Sequence, residues 1–308
     1  MHHKLFRLII FLIVLIIYIV LMIKFGRKIR ICICTVGKKE NLYVREYVNY
    51  YKNLGVNKIF IYDNNDKNDE KFEVVLKDYI DIGFVEIFDY RGIVAAQIGA
   101  FENCRKNNYK IFDWLIFYDM DEFLYLRNFN KISDFLNQKK FNKCQSIQLN
   151  WFVHTDNNLL YYDNRSLMER FPEKDKKWKG MKIGGTEVIK SILKGHLDVK
   201  IIDNHNLNFN LVSCDGFGNI KSVQNIKTNE SDHYYYYIDH YWSKSTEEFV
   251  NKILKGDAML GHNNTFTQFN TMRRINMYFS INNITEDRIN YIENKTNLNL
   301  SKYRKMIK

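Results

Sequence analysis

The chain has 308 residues, 46% of them apolar and 26% charged, with a single proline and a formal net charge of +11. That apolar share supports a packed core and excludes a disordered or low-complexity chain, and the length allows one large domain or two small ones. Five cysteines, Cys32, Cys34, Cys104, Cys144 and Cys214, are an odd number without metal-ligand spacing; they read as small buried hydrophobes, and no disulfide framework is required.

Residues 1–7 are a short basic tail. From Leu8 to Ile23 no charged residue interrupts the chain; as a helix this stretch covers about 24 Å, slightly short of a ~30 Å hydrocarbon core, and Lys4, Arg7 and Lys24 can reach outward to the headgroups. The expectation is a transmembrane anchor over 8–23, a basic juxtamembrane linker over 24–29 and a single-pass membrane protein. A cleaved signal peptide is the alternative, but Lys24-Phe-Gly-Arg-Lys-Ile-Arg30 follows instead of a small-residue cleavage site. The flanking cations lean toward a cytoplasmic domain without settling the side. Lys4, Arg7, Lys24, Arg27, Lys28 and Arg30 supply more than half of the net charge, so the basicity points to lipid headgroups rather than to nucleic acid.

From residue 30 the pattern alternates. Arg30 to Thr35 reads as a strand and Glu40 to Leu54 as a helix, with Val44, Tyr47, Val48, Tyr51 and Leu54 on one face and Gly55 as its stop. Lys58 to Tyr62 is a second strand, ended by Asp63-Asn-Asn-Asp66. A helix over Glu70 to Ile80, a strand over Phe84 to Phe88 and a helix over Val94 to Lys106 follow. Strands alternating with helices predict a mostly parallel, doubly wound sheet with helices on both faces, whose ligands sit at the carboxyl ends of the strands. Thr35 to Asn41, Asp63 to Asp66, Asp89 to Arg91 and Asp119 to Glu122 should therefore line one edge. The first of these loops lacks both the dinucleotide fingerprint and the P-loop.

The fourth strand carries the chemistry. Trp114-Leu-Ile-Phe-Tyr118 is an uninterrupted apolar run, ended by Asp119-Met-Asp121-Glu122 and resumed at once by Phe123-Leu124, so the acids are held between buried anchors. Carboxylates two residues apart in extended chain point the same way, and hard oxygens held close together call for a cation such as Mg²⁺ or Mn²⁺. An acidic turn at a strand end would look the same. Further on, Ser146 to Asn150 reads as a strand leading to Trp151-Phe-Val-His154-Thr-Asp156, an aromatic plate with polar neighbours of the kind on which sugar faces stack, though a plain core tryptophan would look the same. Glu173 to Gly180 reads as a solvated loop, and the aromatic run His233 to His240 as a strand packed on both sides.

The ordered set of blocks resembles glycosyltransferase family 92 and its relatives of GT-A fold. The blocks are Glu40-Asn41, Leu54-Gly55-Val56, Tyr62-Asp63-Asn64, Gln97 with Cys104, Trp114 to Leu124, Asn150-Trp151, Glu169-Arg170-Phe171, Lys190-Ser191-Ile192 with His205 downstream, and His240-Tyr-Trp-Ser-Lys244 through Phe249, Lys252 and Gly256. The resemblance implies a GT-A-like domain over 30–265; beyond it, two amphipathic helical pieces predict a C-terminal helical segment over 266–308 packed on that domain. The resemblance also implies transfer of a hexose, galactose being common, from a UDP-sugar to a glycan hydroxyl, with inversion. Asp119 and Asp121 would hold Mn²⁺ or Mg²⁺, with His240 completing the shell and Glu122 bracing the loop. Thr35, Glu40, Asp63, Gln97 and Lys244 would bind the donor, and Trp151 the acceptor. Asp156 is the expected base, with Glu187 and Asp215 as rivals; Val153-His154-Thr155 departs from the family pattern beside it. A membrane-tethered carbohydrate-binding or inactive transferase-like protein is the alternative function.

Overall fold

The computed structural model describes residues 11–16, 28–179, 182–183, 186–221, 235–255 and 268–307. Its organising strand is β1 (Ile31–Gly37), buried along its whole length because its alternate residues face two helical layers. Ile31 and Ile33 pack with Tyr47, Val48 and Tyr51 of α1 (Val44–Leu54) and with Phe72 and Leu76 of α2 (Phe72–Asp81). Cys32 and Cys34 face Ala100, Phe101 and Cys104 of α3 (Ala96–Asn108) on the opposite side. Gly55 ends α1 in the left-handed region, at φ 94°, and returns its N–H to the last turn.

Parallel pairing joins β1 to β2 (Lys58–Asp63), β2 to β3 (Val85–Asp89) and β1 to β4 (Trp114–Phe117). Beyond β4 the sheet is mixed. After β5 (Glu122–Leu126), the short helix α4 (Ile132–Leu136) and the long strand β6 (Ser146–His154), the chain passes helix α5 (Leu167–Arg170) and the pieces β7 (Lys174–Lys179), β8 (Lys182–Ile183) and β9 (Thr186–Glu187). It then inserts β10 (Ile189–Lys194) antiparallel between β4 and β6. Short strands β11 (Ser213–Cys214) and β12 (Ile220–Lys221) finish that edge, giving the order β12-β11-β6-β10-β4-β1-β2-β3. The far half of β6 leaves β10 and pairs instead with β7 and with β13 (Tyr236–His240), which also pairs with β5. The sheet therefore curls around β6.

Three expectations need correction. The sheet is mixed and curled rather than mostly parallel and doubly wound, because β10 returns without a crossover helix. Of the stretch 8–23, only residues 11–16 fall among the described residues; they are helical, and six residues rise only about 9 Å. Among the described residues no helix is long and apolar enough to cross a membrane, which overturns the expected transmembrane helix and single-pass localisation. Finally, 174–179 forms β7, paired with β6, where a loop was expected.

The cysteines also differ from expectation. Cys34 of β1 is bonded to Cys104 of α3, and Cys144 to Cys214 of β11, leaving Cys32 free and buried. The residues after β13 form α6 (Thr246–Lys255), α7 (Gln268–Ile281), α8 (Glu286–Thr296) and α9 (Ser301–Ile307). Phe249, Tyr278, Ile289, Ile292 and Leu300 make their own apolar cluster.

Candidate active site

A cleft of about 540 Å³ opens at the carboxyl ends of β1 and β4, walled by β6, the 203–205 segment, α6 and α7. The loop after β4 enters it between Phe117 and Phe123, both fully buried, so Asp119 and Asp121 are fixed by core packing on either side. Gly37 makes room for this loop: a Cβ there would lie 2.6 Å from Met120 Cε and 2.7 Å from Phe72 Cζ.

The two aspartates have different surroundings. Asp119 Oδ1 accepts from Gln97 Nε2 at 2.7 Å, and its Oδ2 accepts from Lys190 Nζ at 2.7 Å. Lys190 is wholly buried on β10 and also lies 3.5 Å from Glu122 Oε1. Glu122 takes the backbone N–H of Asp119 on Oε2 at 2.9 Å and so ties the loop to itself. Burial pushes the Glu122 carboxyl well above the usual carboxylate range, Lys190 opposing it. Asp121 instead faces His240 Nε2 at 3.5 Å and accepts from Lys252 Nζ at 2.7 Å. Burial would raise its pKa, but Lys252 and His240 hold it well below the ordinary value. His240 comes to this position because β13 pairs with β5 and places it opposite Glu122. Burial keeps its imidazole pKa low despite Asp121, and its Nδ1 is buried with no protein hydrogen-bond partner among the described residues.

Asp121 and His240 fit a divalent cation in donor chemistry. A carboxylate beside an imidazole suits Mn²⁺ better than the all-oxygen shell that Mg²⁺ prefers. Among the described residues no three His, Cys, Asp or Glu side chains form a ready cage. Asp119 fits that role less well, since among the described residues no imidazole pairs with it and its Oδ2 is held by Lys190, a lysine with no exposed side-chain surface.

Glu40, at the start of the segment leading into α1, also lines the cleft. Lys244 Nζ lies 3.3 Å from its Oε2, and Lys255 Nζ bonds its Oε1. Burial would raise the Glu40 pKa, but these two ammonium groups lower it. Lys244 is itself held in the left-handed region, at φ 53°, with its ammonium 3.6 Å from the centre of the Tyr43 ring. Trp151 stands between two imidazoles, with ring centres 4.1 Å from His240 and 5.3 Å from His205.

The structure thus gathers Glu40, Gln97, Asp119, Asp121, Trp151 and His240 on one cleft, with Lys244 behind Glu40. Three expected residues lie elsewhere. Thr35 is fully buried in β1. Asp63 caps the turn at the end of β2, accepting from Asn65 N at 2.9 Å and from Arg91 Nε at 3.0 Å. Asp156 is sealed against α7 and α8, accepting from Tyr278 Oη at 2.5 Å and pairing with Arg288 at 2.5 Å. Of its rivals, Asp215 is buried in the turn after β11, accepting from Phe217 N and Asn219 N at 2.9 Å; the side chain of Glu187 lies outside the described residues. Sequence reasoning missed Lys190, Lys252, Lys255, Asp203, Arg273 and Arg274 as site residues. A lysine inside the apolar run Ile189-Lys-Ser-Ile-Leu193 was a usable signal, because a strand buried at that position tolerates a cation only beside an acid.

The description of glycosyltransferase family 92 matches residues 27–289. The chain belongs to this family. The resemblance carried by the ordered blocks is therefore borne out. Family 92 proteins of Ricinus communis and Oryza sativa subsp. japonica are 34% identical over 95 residues and 30% identical over 106 residues. Those matches cover 31% and 34% of this family 92 chain but 17% and 18% of the relatives, so the chain spans under a fifth of their length in alignment. Among solved structures, Staphylococcus aureus TarS covers 82% of the chain and 44% of its own at 10% identity and a TM-score of 0.37. A mannosyltransferase from Pyrobaculum calidifontis, solved with GDP-Man and Mn²⁺, covers 40% of this chain and 36% of its own at 6% identity and a TM-score of 0.32.

Proposed function

We propose that this family 92 chain is a metal-assisted glycosyltransferase that moves a hexose from a nucleotide-sugar donor, a UDP-sugar as first choice, to a hydroxyl of a glycan or glycoconjugate, with inversion. The observation that carries the reading is Asp121 facing His240 Nε2 at 3.5 Å in a cleft whose wall also bears Lys38, Lys252, Lys255, Arg273 and Arg274. Cations gathered on such a wall suit a nucleoside diphosphate, whose charge grows as the sugar departs. A divalent cation held by Asp121 and His240 would offset that charge.

The protein's own groups supply the rest. Lys190 and Gln97 hold Asp119 from both sides, fixing the loop so that Asp121 stays aimed into the cleft. Trp151 offers its ring to the acceptor. For the proton of the acceptor hydroxyl, the enclosed Asp156 is a poor candidate, and the base is assigned to Asp203. That carboxylate lines the cleft, and its Oδ1 accepts from the N–H groups of His205 and Asn206 at 2.7 Å, which anchors it. His205 beside it is held neutral by burial and by Lys190.

The test mixes purified protein with a panel of nucleotide sugars and Mn²⁺ and measures nucleoside diphosphate release with and without glycan acceptors. Donor-specific release is expected. Asp121→Ala should abolish it, and Asp203→Asn should lower kcat by roughly 10²- to 10⁴-fold, the usual share of a general base, while donor affinity holds. A protein that binds glycans but releases no nucleotide from any donor would be a binding module instead.

A further inference from the structure

Three acids of the cleft are paired with ammonium groups: Asp119 with Lys190, Glu40 with Lys244 and Lys255, and Asp121 with Lys252. These lysines are not equally placed. Lys190 has no exposed side-chain surface, and Lys244 is 6% exposed with its ammonium over the Tyr43 ring. Lys252 is 26% exposed, lines the cleft from α6, and among the described residues is hydrogen-bonded at its tip by Asp121 Oδ2 at 2.7 Å and by the Trp242 carbonyl at 3.1 Å. Asp121 is also the carboxylate best suited to a metal ion. A divalent cation arriving at Asp121 Oδ2 meets that ammonium at close range, and the repulsion between the two positive groups weakens metal binding for as long as Lys252 stays in place.

We propose that Lys252 is an exchange cation: it caps Asp121 while the cleft is empty and moves to the diphosphate when a nucleotide enters, so that metal and nucleotide bind as a coupled pair. The proposal rests on the reading of the cleft as a metal-assisted diphosphate site. Its physical content is a linkage. In the empty protein the metal must compete with Lys252 for Asp121, which weakens metal binding. A diphosphate draws the ammonium away on its flexible four-carbon stem and frees the carboxylate. Reciprocity requires the metal to favour the nucleotide by the same factor, and couplings of this kind commonly span roughly 5- to 150-fold. Replacing Lys252 by a neutral side chain removes the competitor, so the metal should then bind without waiting for nucleotide.

The experiment titrates Mn²⁺ into the full chain, reading free Mn²⁺ by electron paramagnetic resonance, with and without UDP, GDP or ADP. Nucleotide affinity is measured by calorimetry on the same samples, and circular dichroism checks the fold. Lys252→Met and Lys252→Gln should bind Mn²⁺ alone roughly tenfold tighter or more than wild type, bind the preferred nucleotide more weakly and lose most of the coupling. Lys252→Arg, which keeps the charge, should behave as wild type, and adding Asp121→Asn to Lys252→Met should erase the gain. Unchanged or weaker Mn²⁺ binding in folded Lys252→Met and Lys252→Gln would overturn the exchange while leaving a metal site standing. No Mn²⁺ binding by any of these proteins, even with nucleotide, would remove the metal reading itself and the exchange with it.

Discussion

His205 shows how one side chain ties the cleft to pH. Its Nδ1 lies 2.9 Å from the Ile189 carbonyl, the geometry of an Nδ1–H donating to that oxygen. Burial and the Lys190 ammonium push its pKa down to about 4. A histidine in the unfolded chain titrates near about 6.5, so between those values the unfolded state binds the extra proton and the folded state does not. Stability then rises with pH; this contribution is intact above about 6.5 and is lost as the pH falls toward 4. Denaturant titrations from pH 7.5 down to 4.5 should show wild type losing stability on acidification more steeply than His205→Gln, whose amide can still donate to Ile189. Parallel losses would sink this account. Little of it was legible beforehand: His205 stood out only as one member of an ordered set of blocks, while its neutral state depends on Lys190, fifteen residues away on β10. Asp121 was legible, because an acid between two buried aromatic anchors has few places to go. Asp156 misled because its polar neighbours in sequence gave no sign of Arg288, which reaches it from α8.

Among the elements, β10 supports the cleft's acids through Lys190 and was the least visible. It brings Lys190 beside the acids and separates β4 from β6, yet it follows β6 through the four-residue α5 and short strands, not through the crossover helix that parallel pairing leads one to expect. Gly195 lets it sit there. The glycine follows the last residue of β10, its N–H donates to the Asp113 carbonyl at 2.7 Å, and a Cβ on it would fall 1.9 Å from the Phe112 carbonyl oxygen. Backbone cannot yield as a side-chain tip can, so Gly195→Ala should cost about 3 kcal/mol or more, at the upper end of overpacking penalties, by prising β10 from the entry to β4. Equilibrium unfolding in urea measures this directly; a variant as stable as wild type would mean that the contact relaxes freely. The strands before residue 120 were readable because their apolar runs are bounded by turn residues. Beyond that point pairing is set by long-range register, which periodicity does not encode.

At the scale of the molecule, two crosslinks fasten the sheet to its surroundings, each joining cysteines 70 residues apart. One fixes β1 to α3, and the other joins the lead-in to β6 with β11. The chain-entropy account gives roughly 4 kcal/mol for closing a loop of this length. Reductant should therefore lower the denaturation midpoint of wild type, and the paired replacement Cys144→Ser with Cys214→Ser should reproduce about half of that drop; a midpoint indifferent to reductant would argue that the bridges add nothing. Composition concealed them, because an odd cysteine count hides the pairing and Cys32, two residues before Cys34, is the one left over.

Those bridges also bear on where such a polypeptide can mature. Glutathione and thioredoxin keep cytosolic thiols reduced, so bridges of this kind form most readily under oxidising conditions. A producer who leaves it in a reducing cell should harvest five free sulfhydryls and a less stable protein, and one who sends it through a disulfide-forming compartment should recover the tighter form.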